Sequence, residues 1–377
     1  MRFLHVSEVH AGGVLSLLRV YTAEQQRRGH EVHLLAPDPM DLNVHDYHRW
    51  GIDRGSPWTY PAALATLRKV VRRTQPDVVH LHSFFAGLLG RVLPGRLPGT
   101  PAVLYQPHSW AFNAVPHEIL SAAVVGSERW AARRTDVVAG NCLEEIEEGR
   151  RHRVKVPTEI LGIAVDTSYF SPPSPSERQD LRTRLELGSH KVALCVGRLT
   201  HQKAQDRLVA AWERNPVLDT VLLLVGSGDD TALRALAPRE WGRSIRAVGH
   251  QEDVRSWLRA ADLLIQSSRY EGQSVAVAEA LSCGLPAMTL DVNGAHAAVT
   301  AGPLPPAGAV VAQGDIDALL DQCRMRTSDQ QKLAQESRAA RVRAESLFCV
   351  DTMMDRLDAA YEHASRNAGE QRRGQSE

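Results

Sequence analysis

Glu271 and Glu279 are separated by seven residues in the run Arg269-Tyr-Glu-Gly-Gln-Ser-Val-Ala-Val-Ala-Glu-Ala-Leu-Ser-Cys-Gly-Leu-Pro286. Glu271 lies in a glycine-containing loop after the strand-like run Ala261-Asp-Leu-Leu-Ile-Gln266. Glu279 lies inside a short helical pattern ending at Cys283-Gly-Leu-Pro286. A strand, a glycine loop and a helix start make an anion site, because the first N–H groups of a helix lack internal partners. Gly272, Gln273, Ser274 and Val275 occupy that turn. Carboxylates suit sugar hydroxyls better than phosphate, so Glu271 is expected against a sugar. Glu279 is about five residues in, roughly 7 Å along the axis at about 1.5 Å per residue, within reach of a ribose diol. Its apolar neighbours make an unpartnered carboxylate costly there. Phosphate and sugar in one site point to a nucleotide sugar.

Other residues supply what such a ligand needs. In Leu194-Cys-Val-Gly-Arg-Leu-Thr-His-Gln-Lys203, Gly197 ends a strand and Arg198 and Lys203 flank the following turn. Arg offers a bidentate fork and Lys a compact charge, a pairing that can clamp a diphosphate. Gly226 and Gly228 in Val225-Gly-Ser-Gly-Asp-Asp230, and Gly12 and Gly13 in Val6-Ser-Glu-Val-His-Ala-Gly-Gly-Val14, permit close backbone approach or simply make turns. His108, in Leu104-Tyr-Gln-Pro-His-Ser-Trp-Ala-Phe112, follows a strand where open α/β sheets place ligands. His80 and His82 alternate along a strand and are read as structural, not as a metal pair.

These residues need parallel α/β scaffolding, and the chain alternates short apolar runs with helix-period segments. Strands are expected at Arg2–Ser7, Glu31–Ala36, Val78–Leu81, Ala102–Tyr105, Val137–Ala139 and Glu159–Leu161. A second series is expected at Val192–Val196, Val221–Val225, Ile245–Val248, Leu263–Gln266 and Ala287–Leu290. Ser171-Pro-Pro-Ser-Pro-Ser176 reads as a linker and hinge. The expected domains are 1–172 and 178–347, with a final amphipathic helix over Asp351–His363 inside a segment 348–367. A polar tail, 368–377, is expected to be disordered.

Composition narrows the function. Lys plus Arg equals Asp plus Glu at 44 each, so no overall field attracts nucleic acid. Cys142, Cys195, Cys283, Cys323 and Cys349 lack zinc-ligand or CxxC spacing, which suggests reduced thiols in the cytoplasm. No signal peptide or membrane-length apolar stretch is expected.

With these motifs in hand, the chain resembles the retaining glycosyltransferases of family 4. The resemblance spans the Gly12-Gly13 loop, the His108 loop, Val165-Asp-Thr-Ser-Tyr-Phe-Ser-Pro172, Gly197-Arg198 with Lys203, the Gly226/Gly228 turn, Gly249, Ala261-Asp262 and the E-x7-E pair. It implies the GT-B fold, two Rossmann-like doubly wound α/β domains facing a cleft, with the final helix crossing back to the N-terminal domain. It also implies that Arg198 and Lys203 bind the donor diphosphate, Glu271 and His108 the sugar and Glu279 the ribose, with Gly12 and Gly13 near the diphosphate. No cofactor or metal is expected; the nucleotide sugar, with UDP favoured, is the donor substrate. Ala204 stands where the family usually has glycine, Gln273-Ser274 where Phe-Gly is common, and Asn293-Gly294 where Gly-Gly is frequent.

The resemblance is nearest to bacterial enzymes that assemble cell-surface polysaccharide. Saccharide and lipid-linked acceptors are therefore expected, beside a soluble small molecule as the alternative. A GT-B-like sugar-nucleotide epimerase and a catalytically silent partner subunit are the competing classes. Basic clusters at Arg68–Arg73, Arg129/Arg133/Arg134 and Arg150–Lys155, with Trp110, Phe112 and Trp130, are read first as solvated helix faces. Peripheral contact with anionic lipid at the inner membrane face is the second reading.

Overall fold

The computed structural model of the chain describes residues 1–91, 97–115 and 117–373. Two compact units emerge, one of Met1–Ile163 with the chain from Val350 onward, the other of Ala164–Cys349.

The first unit runs β1 (Arg2–Ser7), α1 (Gly13–Arg27), β2 (Glu31–Ala36), β3 (Asp46–Arg49), α2 (Tyr60–Thr74), β4 (Val78–His82), α3 (Ser83–Arg91), β5 (Ala102–Gln106), α4 (Glu118–Ala131), β6 (Val137–Gly140), α5 (Leu143–Arg151) and β7 (Thr158–Ile160). Its seven-stranded sheet has the order β3-β2-β1-β4-β5-β6-β7, and every pairing is parallel. The order steps outward from β1 in both directions, as a doubly wound sheet requires.

The second unit runs α6 (Pro175–Arg184), β8 (Lys191–Val196), α7 (Gln205–Arg214), β9 (Thr220–Val225), α8 (Thr231–Leu236), β10 (Ile245–Gly249), α9 (Arg255–Ala260), β11 (Leu263–Gln266), α10 (Val275–Ser282), β12 (Ala287–Leu290), α11 (Ala295–Val299), β13 (Gly308–Val311), α12 (Ile316–Thr327) and α13 (Gln330–Leu347). Its six-stranded sheet, β10-β9-β8-β11-β12-β13, is again parallel throughout. β9, Thr-Val-Leu-Leu-Leu-Val, is buried along its whole length, because helices cover both faces of a parallel sheet.

α14 (Val350–Arg373) closes the first unit, packing on α1 and on β4 to β7. Met353, Met354, Leu357, Ala360, Tyr361, Ala364 and Ala368 are buried along it at helical spacing. The tail expected to be disordered from Ala368 is thus helical to Arg373, and residues 374–377 lie outside the described residues. The proline-serine linker is also corrected. Ser174 caps α6, with its hydroxyl accepting from Glu177 N at 3.3 Å while Glu177 Oε2 accepts from Ser174 N at 2.8 Å. A Ser-Pro-Ser-Glu run is a capping box with proline in the first turn, so half of the "linker" is a helix start.

Candidate functional site

In the second unit the sequence-predicted residues gather beyond the C-terminal ends of β8 and β11. Lys203 Nζ lies 2.6 Å from Glu271 Oε1. The same oxygen accepts from Ser268 Oγ at 2.6 Å and from Gln266 Nε2 at 3.3 Å, while Gln202 Nε2 donates to Oε2 at 3.4 Å. A buried carboxylate needs such partners. Gly197, at φ +154°, makes room for the lysine: a Cβ there would meet the Lys203 methylenes at 3.1–3.2 Å. Gly226 is required more strictly, since its Cβ would fall 2.1 Å from the Gly197 carbonyl oxygen.

Arg198 is exposed, and its guanidinium makes no hydrogen bond or ion pair with any described residue. Gly197, the residue before it, lies against the Lys203 side chain. Ser274 caps α10, accepting from Val277 N at 3.4 Å and from Gln266 Nε2 at 2.7 Å. Gln273 packs against Gly294, where a Cβ would lie 2.8 Å from its Cγ. Its Oε1 is buried with no hydrogen-bond partner. Val275 and Gly272 complete the turn, and both are buried. The Glu279 carboxyl makes no hydrogen bond or ion pair with any described residue, while its backbone carbonyl accepts from Cys283 N at 3.1 Å. Burial pushes its carboxyl up to about 8, with Asp253 adding to the rise and Lys203 opposing it.

The first unit holds the remaining residues. Gly12, at φ +70°, is the N-cap of α1 and Gly13 its first residue; both are exposed and a Cβ on Gly12 would meet nothing. His108 and Ser109 both take positive φ, +53° and +89°, an unfavourable conformation for non-glycine residues. Glu145 of α5 holds it: Oε1 accepts from Ser109 N at 2.5 Å and Oε2 from Asn141 N at 2.6 Å. Trp110 Nε1 adds a bond to the Glu145 carbonyl at 2.7 Å. Burial raises the Glu145 carboxyl to about 7 against the pull of those amides. Burial lowers His108 to about 3, so its ring is neutral at pH 7, and its Nε2 meets His82 Nδ1 at 3.0 Å.

Sequence reasoning missed the supports. Glu145 hid in the acidic run Glu144-Glu-Ile-Glu-Glu148, where only its buried position distinguishes it. Gln266 and Ser268 flank the strand end that precedes Glu271, and polar residues closing an apolar strand were the signal available. Trp110 and Phe112, considered for lipid contact, are core residues, 2% and 5% exposed.

Comparison with known proteins supplies the context. Residues 11–169 match the family described as Glycosyltransferase Family 4, and residues 190–329 the family described as Glycosyl transferases group 1. The UDP-Gal:alpha-D-GlcNAc-diphosphoundecaprenol alpha-1,3-galactosyltransferase of Escherichia coli is 28% identical over 244 residues, 62% of each chain. The lipopolysaccharide core biosynthesis mannosyltransferase LpsB of Rhizobium meliloti is 26% identical over 221 residues, 56% of this chain and 62% of that one. The matches thus span less than two thirds of either relative's length. Anabaena HepE, solved with UDP-glucose, superposes with a TM-score of 0.77 at 17% identity, over 95% of this chain and 99% of HepE.

Proposed function

The chain belongs to the family-4 glycosyltransferases of GT-B fold, and from that premise we propose that it moves a sugar from a nucleotide-diphosphate donor, UDP favoured, to a hydroxyl acceptor with retention at the anomeric carbon. The supporting observation is the Lys203–Glu271 ion pair at the ends of β8 and β11, with Arg198 exposed and uncommitted just past the end of β8. Lys203 and Arg198 take the negative charge that builds on the diphosphate as its bond to the anomeric carbon breaks. The acceptor oxygen bonds that carbon on the same face, and its proton passes to the departing diphosphate oxygen. In this reading two cations serve where other transferases use a metal. Glu271 accepts from sugar hydroxyls, Gln273 Oε1 takes a further hydroxyl, and Glu279 takes the ribose diol. His108 offers its neutral ring to the sugar, while Gly12 and Gly13 leave backbone N–H groups open to phosphate. The donor assignment draws support from the UDP-galactose named for the Escherichia coli relative and the UDP-glucose in HepE.

A lipid-linked acceptor in envelope glycan assembly is favoured over a soluble one by one surface. α4 exposes Ile119 at 85% and Leu120 at 55%, with Trp130 and Arg129 exposed farther along the helix. Apolar and cationic residues together suit an anionic bilayer surface. The contact proposed is peripheral, through this helix face; no helix among the described residues is long and apolar enough to cross a membrane. The test is thermal stabilisation and slow hydrolysis across UDP-, GDP- and ADP-sugars. A UDP-sugar should raise Tm selectively; no shift with any nucleotide sugar rejects the proposal.

A further inference from the structure

Beneath the His108 loop lies a set of polar side chains that the chemistry above does not use. His5 on β1 and His80 and His82 on β4 are fully buried in the sheet. Every ring nitrogen of the three is committed to a hydrogen bond, so none is left over as a metal ligand. Their partners form one continuous chain. His108 Nε2 meets His82 Nδ1 at 3.0 Å, and His82 Nε2 meets His5 Nδ1 at 2.9 Å. His5 Nε2 meets Gln25 Oε1 at 2.8 Å, and Gln25 Nε2 donates to Tyr361 Oη at 3.0 Å. Tyr361 Oη meets His80 Nδ1 at 2.9 Å, and His80 Nε2 meets Gln106 Oε1 at 3.1 Å.

A neutral imidazole has one N–H and one lone pair, so fixing one nitrogen fixes the other. Gln25 Oε1 can only accept. His5 therefore carries its proton on Nε2 and accepts at Nδ1. His82 must then donate from Nε2 and accept at Nδ1, and His108 must donate from Nε2. The same sense holds on the far side. Gln25 N–H donates to Tyr361, whose O–H donates to His80 Nδ1, whose Nε2–H donates to Gln106 Oε1. Gln106 N–H in turn donates to Asn141 Oδ1 at 2.8 Å. Reversing the sense would require the amides of Gln25, Gln106 and Asn141 to turn over together.

We propose that Gln25 and Tyr361 are positioning residues that hold His108 in one tautomer, protonated at Nε2, so that its Nδ1 stays an open hydrogen-bond acceptor for a sugar hydroxyl. The functional half rests on the reading of His108 as a sugar contact. No described residue bonds Nδ1, which leaves that lone pair for a ligand. An acceptor there selects for a donated hydroxyl; the other tautomer would present an N–H and seek an oxygen lone pair instead. Burial keeps His5, His80, His82 and His108 neutral near pH 7, which the chain requires. Tyr361 lies on α14, so the last helix of the chain reaches the His108 ring through hydrogen bonds alone.

The test is the imidazole 15N spectrum of the full chain labelled at histidine, at pH 7 without ligand, with His108 assigned by its loss in His108→Asn. The expected wild-type result is a protonated, pyrrole-type Nε2 and a bare, pyridine-type Nδ1 at His108. A proton on Nδ1, or on both nitrogens, overturns the proposal without need of any further variant. Tyr361→Phe frees the Gln25 amide to turn, so the second His108 tautomer should appear at comparable intensity. Turnover should then fall by the lost fraction, about twofold, with nucleotide affinity held. An unchanged His108 spectrum in Tyr361→Phe overturns the role of Tyr361. A wild-type chain that binds no nucleotide sugar overturns the functional half alone, because the tautomer is read without ligand.

Discussion

Lys203 and Glu271 hold each other at 2.6 Å in a mostly enclosed setting, so removing either strands its partner. Lys203→Ala is expected to lower kcat by about 100- to 1000-fold, the scale for losing one charge-stabilising donor. It should also cost roughly 3 kcal/mol of stability, since Glu271 is left buried without its cation. Arg198→Ala, at an exposed and unpaired site, should lower activity with Tm unchanged; steady-state rates and melting curves separate the two effects. Ala204 shows a different kind of residue-scale departure. It takes φ +55° at the start of α7, where the family usually carries glycine. A left-handed alanine costs about 1–2 kcal/mol, so Ala204→Gly should stabilise the protein by roughly 1 kcal/mol in denaturant titration. Glu279 gives a pH signature. Its carboxyl titrates near 8 instead of 4.5 in the free protein, so it is mostly protonated at neutral pH. If its ionised form receives the ribose diol, nucleotide affinity rises as pH climbs toward 8 and levels off above. The same raised pKa makes its contribution to stability greatest at low pH, lost as pH rises from about 4.5 to about 8. Glu279→Gln should remove the affinity step in calorimetric titrations. The residues proposed to carry the chemistry could be singled out in the sequence because their types are restrictive, and the structure pairs two of them, Lys203 and Glu271. Their supports could not: Glu145, Gln266 and Tyr361 owe their importance to burial and partners that no spacing displays.

The elements show the same division. The buried central strands announced themselves as apolar runs, and their observed bounds differ from expectation by a residue or so at either end. β3 and β13 did not. β3 is Asp-Tyr-His-Arg, a polar edge strand with no apolar run. β13 is four residues behind the turn-rich Gly302-Pro-Leu-Pro-Pro-Ala-Gly308. Both lie at sheet edges, where one neighbour suffices and hydrophobic demand is low. Ser171–Ser176 misled for another reason: proline and serine start helices as readily as they break them. The His108 loop, a sugar contact in the proposed reaction, is held from α5. Gly149 there has no side chain because the Trp110 ring fills the space; a Cβ would lie 2.5 Å from Trp110 Cζ2. Gly149→Val should therefore displace Trp110, and with it His108, cutting turnover while α10 and the Lys203–Glu271 pair stay intact. Nucleotide-induced stabilisation that persists in an inactive Gly149→Val protein would bear this out; full activity would count against it.

At the scale of the whole molecule, formal charges cancel at 44 against 44, so any surface attraction must be local, as on α4. Ile119→Glu with Leu120→Glu should abolish flotation with anionic vesicles and leave nucleotide binding intact; wild-type protein that never floats removes the membrane contact. The first unit is built from both ends of the chain, whereas the second is one uninterrupted stretch. Ending the chain after Cys349 should leave the second unit's melting transition in place. The first should lose cooperative unfolding and bind hydrophobic dyes, because α14 no longer covers β4 to β7. This split also orders events at the ribosome. At about 5–20 residues per second, the strands of the first unit emerge roughly ten seconds or more before their last helix exists. The later-made unit can finish folding while the earlier one waits with an apolar face uncovered. The nascent chain is most exposed to chaperones and proteases in that interval, and it ends only when Tyr361 arrives to join His80 and Gln25.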